Sequence, residues 1–288
     1  MDFTSGKEVV SAQVDQSIPG GKGDFVTAFS PNGETFATAG MDPTVRIWDA
    51  ATGEERQALK GHTRWVWSLA YSPNGKWIAS GSRDGTVRIW STKQAGECDR
   101  IVGSANSWRR IRYALKRTPV SFSSDGKMIA VGAADHVVKV IDSTHAQELF
   151  FVNGHTAAVN AVAFSPEDQT MAVATGGPTT PGEVKLWKVP EKTVGIRLAK
   201  STGIYSCIAY SPDGKRLAAG TGRSVKIWDM TTGRLLTTLD GHVADVTTLA
   251  FSPDGKTVAV GTYELRQHVP NEKIEPGEVK LWDASGAR

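Results

Sequence analysis

A five-residue phrase recurs six times along this chain, and no other feature restricts its fold as strongly. The phrase is a β-branched residue, a basic residue, an aliphatic residue, Trp and often Asp. It reads Val45-Arg46-Ile47-Trp48-Asp49, Val87-Arg88-Ile89-Trp90-Ser91, Val184-Lys185-Leu186-Trp187, Val225-Lys226-Ile227-Trp228-Asp229 and Val279-Lys280-Leu281-Trp282-Asp283. A degenerate copy is Val138-Lys139-Val140-Ile141-Asp142. The steps between Trp positions are 42, 51, 46, 41 and 54 residues. A period of this length marks a supersecondary unit that must stack on its neighbours to bury its apolar faces.

Two further marks keep phase with the first. An aromatic residue followed by Ser-Pro-Asn/Asp-Gly ends at Gly33, Gly75, Gly214 and Gly255, with looser copies at Phe122 to Gly126 and Phe164 to Asp168. Pro presets φ and Gly accepts positive φ, so the tetrapeptide predicts a tight turn. Gly-His occurs at Gly61-His62, Gly154-His155 and Gly241-His242. Between the marks lie short β-rich runs bounded by Gly, Pro, Asn or Asp, and no window carries a helical period. Each repeat reads as a sheet of about four strands, named a to d, and six sheets packed radially hide one another's faces.

The combination of Gly-His, Ser-Pro-Asp-Gly and Trp-Asp resembles the WD40 repeat family over nearly the whole chain. The resemblance implies an all-β fold: a six-bladed β-propeller of four-stranded antiparallel blades, forming a single domain over residues 1–288. The expected blades are 18–60, 61–104, 105–153, 154–200, 201–240 and 241–288. Strand d of the last repeat is missing at the C-terminus. The segment Asp2 to Glu8 aligns without gaps to Asp49 to Glu55, which leads into strand d of the first repeat. Residues 7–14 are therefore expected to form the outer strand of the last blade. The alternative is a chain cut from a longer array that closes differently.

Composition narrows the function classes. Apolar residues make up 40% and the formal net charge is only +3, so bulk charge does not point to nucleic acid or membrane. Cys98 and Cys207 are too few for a disulfide framework or a typical zinc site, and both are expected to be buried free thiols. The first residues lack the apolar run of a signal peptide, and the cytoplasm is the expected location. No histidine pair has metal-ligand spacing, so neither a metal nor a cofactor is expected. Gly20-Gly21-Lys22-Gly23 lacks phosphate-loop spacing.

The second repeat holds His62, Ser80, Asp84 and Trp90, whose residue types suggest a nucleophile triad. The family resemblance implies instead a structural network in which the histidine bridges the Asp and the Ser, and the Ser reaches the Trp. The first repeat keeps Thr38, Asp42 and Trp48 without a Gly-His. The fourth keeps His155 and Trp187 but loses the Asp. No catalytic residue is expected.

In this family the d–a and b–c loops share one face of the disc, the top. The insertions in this chain fall on those loops, which is where a rigid scaffold carries function. Residues 104–118 contain Trp108, Arg109, Arg110, Arg112, Tyr113, Lys116 and Arg117 with no acidic residue. Two readings stand: a contact surface for an acidic protein segment or nucleic acid, or a solvated basic loop whose aromatics tuck against the blade. The last b–c loop carries Tyr263, Arg266 and His268. A third insertion, 176–182, is rich in Pro and Gly. Trp65 and Trp67, just before strand a of the second repeat, are candidate contact residues because exposed Trp is enriched at binding hot spots; for Trp67 the alternative is packing between blades. Lys116, Asn160, Ile204 and Asp245 are read as the matching positions elsewhere.

The expected function is a non-catalytic platform, monomeric on its own, that takes a protein or peptide partner on its top-face loops. The alternatives are nucleic-acid or acidic-ligand binding through loop 104–118, and the sensing or docking part of a larger multidomain protein.

Overall fold

A computed structural model describes residues 26–93, 98–102, 118–133, 135–189, 191–262 and 278–284. Among these residues there are 23 strands and no helix. No described helix could therefore cross a membrane. By its internal contacts the chain divides into two compact units, residues 1–131 with 140–149 and residues 132–139 with 150–288.

The strands form six antiparallel sheets, the blades of a six-bladed β-propeller fold. The first sheet is β1 (Val26–Phe29), β2 (Thr35–Ala39), β3 (Val45–Asp49) and β4 (Glu55–Leu59). The second is β5 (Val66–Tyr71), β6 (Trp77–Ser82), β7 (Val87–Ser91) and β8 (Cys98–Val102). The third is β9 (Val120–Phe122), β10 (Met128–Gly132), β11 (Val138–Asp142) and β12 (Glu148–Val152). In the second unit, β13 (Val159–Phe164), β14 (Thr170–Thr175), β15 (Gly182–Lys188) and β16 (Thr193–Ser201) form the fourth sheet. The fifth is β17 (Tyr205–Tyr210), β18 (Arg216–Thr221), β19 (Ser224–Asp229) and β20 (Leu235–Leu239). The sixth has three described strands, β21 (Val246–Phe251), β22 (Thr257–Thr262) and β23 (Val279–Asp283). Its expected fourth strand, residues 7–14, lies outside the described residues.

The repeated phrase is strand c of every sheet. In the first five sheets its apolar members are buried, among them Val45, Ile47, Val87, Ile89, Trp90, Val225 and Ile227. Ala37, Val45, Ile47 and Leu59 of the first sheet pack with Val66, Ile78 and Trp90 of the second. Ala172, Val184 and Leu186 of the fourth sheet pack in the same way with Tyr205, Leu217 and Trp228 of the fifth. Burying one such large side chain contributes about 2–3 kcal/mol, so the interlocked faces supply the cohesion that isolated sheets lack.

The Ser-Pro-Asn/Asp-Gly tetrapeptide makes the a–b turn. Ser211 Oγ donates to Asp213 Oδ1 at 2.6 Å and accepts from the Arg216 backbone N–H at 2.9 Å. Ser72, Ser123 and Ser252 repeat the arrangement. The turn glycine has positive φ, 64° at Gly214, where a side chain would be strained. Gly81 answers a different demand. A Cβ there would stand 2.1 Å from the Thr118 carbonyl oxygen of the next sheet, so only Gly permits that approach.

Candidate functional site

The four polar residues of the second repeat form one connected network. Asp84 Oδ2 lies 2.8 Å from His62 Nδ1, and His62 Nε2 lies 2.7 Å from Ser80 Oγ. A carboxylate only accepts, so Nδ1 carries the proton and Ser80 O–H donates to Nε2. Trp90 Nε1 donates to the same Ser80 oxygen at 2.8 Å. Burial raises the Asp84 pKa, but bonds from His62, Thr86 and the Thr63 N–H outweigh it and hold the carboxyl well below its usual range. Ser80 is fully buried, so no substrate reaches its hydroxyl. The arrangement joins strands β6 and β7, the b–c turn between them and the Gly-His turn, and it satisfies polar groups that burial would otherwise penalise.

Other sheets solve the same problem with different residues. In the first, Trp48 Nε1 donates to Thr38 Oγ1 at 2.8 Å, while Asp42 pairs with Arg46 at 2.6 Å. In the fourth, Val173 stands where the second sheet has Ser80, because each pairs with the basic residue of strand c. Trp187 Nε1 and both His155 nitrogens consequently have no hydrogen-bond partner among the described residues. A buried carboxylate replaces the missing Asp. Glu183 Oε1 lies 2.7 Å from Lys185 Nζ, and Lys185 donates to the Gly154 carbonyl at 2.6 Å. The sixth sheet repeats this, with Glu278 3.0 Å from Lys280 and Lys280 donating to Gly241 O at 2.7 Å. Sequence reading missed both pairs. Their signal is the repeated heptapeptide Pro-Gly-Glu-Val-Lys-Leu-Trp at 181–187 and 276–282.

The candidate contact residues Trp65 and Trp67 meet at the end of the second sheet that carries the b–c and d–a connections. Their rings lie 5.6 Å apart at 70°, edge to face. The Arg83 guanidinium sits 5.1 Å from the Trp65 ring. Arg64 and Arg83 are exposed. Both tryptophans are only half-exposed, a correction to the expectation of an exposed Trp65, because each covers the other and Arg83 covers Trp65. The backbone below them is tightly held. Ser82 Oγ donates to the carbonyls of Arg64 and Trp65 at 3.0 and 2.9 Å, and Arg83 N–H donates to Trp65 O at 2.8 Å. Val66 N–H donates to Gly40 O of the first sheet at 2.9 Å.

Strand register sorts the matching positions between the two tryptophans. Trp67 is the extra residue of a bulge between Val66 and Ser68. Asn160, Ser206 and Thr247 occupy the same bulge in the fourth, fifth and sixth sheets. Asn160 therefore matches Trp67 and not Trp65. Asn160 Nδ2 donates to Tyr205 O at 3.1 Å and Ser206 Oγ to Val246 O at 2.5 Å, each reaching the next sheet. Trp67 cannot make that bond, and its neighbour Ser68 makes the reach to Thr118 O instead.

Trp108, Arg109, Arg110, Arg112, Tyr113, Lys116 and Arg117 lie outside the described residues, as do Tyr263, Arg266 and His268. Cys207 is buried, but Cys98 is half-exposed on the outer strand β8, which corrects the expectation of two buried thiols. Among the described residues no cluster of His, Cys, Asp and Glu could hold a metal ion.

Comparison with known proteins agrees with this architecture. The family model described as "WD domain, G-beta repeat" matches residues 13–49, 53–91, 120–142, 146–188, 195–229 and 233–268. The chain is 27% identical over 218 residues to WD repeat and HMG-box DNA-binding protein 1 of Xenopus laevis, covering 72% of this chain and 18% of that protein. It is 30% identical over 149 residues to the periodic tryptophan protein 2 homolog of Dictyostelium discoideum, covering 48% and 16%. It is 29% identical over 245 residues to nuclear distribution protein PAC1 of Arthroderma benhamiae, covering 75% and 51%. The matched segment thus spans about half of PAC1 and less than a fifth of the other two relatives. Proteins of this family generally act as scaffolds for protein interaction. With its six matched repeats and six sheets, the chain belongs to the WD40 family of WD domain, G-beta repeat proteins.

Proposed function

We propose that the chain is a non-catalytic docking platform that binds a protein or peptide partner through the end of the blades carrying Trp65 and Trp67. The observation behind this reading is the aromatic pair itself. Two half-exposed Trp rings, flanked by the exposed Arg64 and Arg83, stand on backbone held by four hydrogen bonds. Rigid aromatic area lowers the ordering cost of association, and Trp and Arg are the residues most often decisive at interfaces. The basic loop 104–118 follows β8 of the same sheet in sequence and would extend the surface toward an acidic segment.

The test is partner capture by the full chain and by Trp65→Ala and Arg64→Glu variants. Each variant should retain the native thermal transition and lose on the order of tenfold in capture, about 1.4 kcal/mol. Full capture by both would overturn the placement.

A second reading follows from the five basic residues of loop 104–118 and from one relative being named a DNA-binding protein. Nucleic acid held there would dissociate steeply as salt rises. The small share of each relative that the match covers also supports a docking part within a larger assembly of domains.

A further inference from the structure

Neighbouring sheets are stapled at the end that carries the a–b turns. Two carbonyls recur there: that of the turn glycine and that of the residue following strand c. Between the first and second sheets, Gln57 Nε2 donates to Thr92 O at 3.0 Å, and within the second sheet Thr92 Oγ1 donates to Gly75 O at 2.9 Å. Between the second and third, Arg100 Nη1 donates to Ser143 O at 2.8 Å, and within the third sheet Ser143 Oγ donates to Gly126 O at 2.6 Å. Between the fifth and sixth, one residue does both. Arg216 donates from Nη2 to Gly255 O and from Nη1 to Ala284 O, each at 2.5 Å. Its guanidinium also lies 5.5 Å from the Phe251 ring.

Between the fourth and fifth sheets the same framework has no such donor. The matching carbonyls belong to Gly214 and Met230, and the matching ring is Tyr210. The correspondence follows from register: Met230 N–H bonds Lys215 O as Ala284 N–H bonds Lys256 O, and Gly214 and Gly255 close equivalent turns. Thr170 opens β14 where Arg216 opens β18, and it is too short to reach. Ile196 pairs with Leu186 as Gln57 pairs with Ile47, and it has no polar group. Met230 lacks the hydroxyl of Thr92 and Ser143. Among the described residues neither carbonyl accepts a hydrogen bond. The result is a cavity of about 140 Å³ lined by Tyr210, Gly214, Met230, Thr170, Ile196 and Trp187.

Asp168 and Lys188 stand at the same cavity. Burial raises the Asp168 pKa, but its bonds from the Thr170 hydroxyl and N–H prevail and keep it ionised at neutral pH. A second carboxylate side chain runs alongside, since a Cβ on Gly214 would stand 2.8 Å from Glu167 Cγ. Lys188 is exposed and can swing into solvent.

We propose that this cavity is a receptor for an arginine side chain presented by an extended segment of a partner protein. The guanidinium takes the place that Arg216 takes one junction later, donating to Gly214 O and Met230 O beside the Tyr210 ring, with Asp168 as counter-charge. A planar fork of donors suits two adjacent carbonyls and a ring face. Lysine has neither the fork nor the plane.

The experiment titrates acetyl-Gly-Arg-Gly-amide into the full chain carrying methyl-labelled methionine. Met230 reports the cavity and Met41 serves as the distant control. The Met230 methyl resonance should shift to saturation with this peptide. Peptides with citrulline or lysine in place of arginine should bind at least ~10-fold more weakly, a factor worth roughly 1.4 kcal/mol. Thr170→Arg should fill the cavity from within, displace the Met230 resonance without peptide and abolish the titration. Asp168→Asn should weaken binding with the fold intact. An unmoved Met230 resonance at millimolar peptide, equal binding of the citrulline peptide, or unchanged binding by folded Thr170→Arg or Asp168→Asn protein would each overturn the proposal.

Discussion

Trp90 donates its indole N–H to Ser80 Oγ at 2.8 Å, and that hydroxyl also serves His62 at 2.7 Å. One buried oxygen therefore satisfies two rings on different segments. Ser80→Ala would leave the Trp90 N–H and His62 Nε2 without a partner in a site closed to water, while His62 Nδ1 keeps Asp84. The expected loss is about 1–3 kcal/mol, read as a lower urea midpoint at constant slope. Thr38→Val in the first sheet strands only Trp48 and should cost less.

The fourth sheet carries a buried charge pair in place of a turn aspartate. Glu183→Gln would leave the Lys185 ammonium buried beside a neutral amide, at a cost of roughly 3–5 kcal/mol. Glu183→Gln with Lys185→Met removes both charges and should recover most of the loss. Chemical unfolding of the two variants checks the ordering, which reverses if the pair itself supplies the stability.

Acid should act on two groups with the same sign. Burial, and then the Lys185 charge, push the His155 pKa down to about 4 from 6.5. The unfolded chain thus binds a proton that the folded chain refuses, and stability falls as pH drops from about 6.5 toward about 4. His155→Gln should flatten that window, by at most on the order of 3 kcal/mol. Asp84 is held low by His62, Thr86 and the Thr63 N–H, so its contribution is present above the unfolded value of 3.8 and lost below it as its folded pKa is approached. Asp84→Asn should therefore be less sensitive to strong acid than the parent, in unfolding curves recorded from pH 7 to pH 2.

The last strand of the sixth sheet is unlike its counterparts. Val279 and Leu281 are 72% and 50% exposed, whereas Val45 and Ile47 are 0% and 3%. Residues 7–14 are expected to pair with β23 as the outer strand of this sheet. Removing residues 1–14 should then accelerate amide exchange across Val279–Asp283 and lower the melting temperature. Unchanged exchange would assign the cover to something else.

Much of the fold was legible because repetition amplifies a weak local signal. The strand-c phrase marks six sheets, and Ser-Pro-Asp-Gly marks the turns that separate strands a and b. The His62 network was legible because all four residues keep their places in the repeat. Glu183 and Lys185 were not, because the acidic group moved from the b–c turn to the start of strand c, where it reads as an ordinary charged residue. The bulge at Trp67 was invisible for a related reason. One extra residue in strand a changes register without changing composition. The empty junction beside Met230 emerges only when side chains on different repeats are placed in space.

The central functional claim is directional: a partner meets the end of the second blade that carries Trp65. A photo-crosslinking side chain can be placed at the exposed Arg64, or at the exposed Lys93 beyond strand c of the same blade. Crosslinked partner from position 64 and none from position 93 is the predicted result. Equal crosslinking from both, or crosslinking from 93 alone, would contradict it.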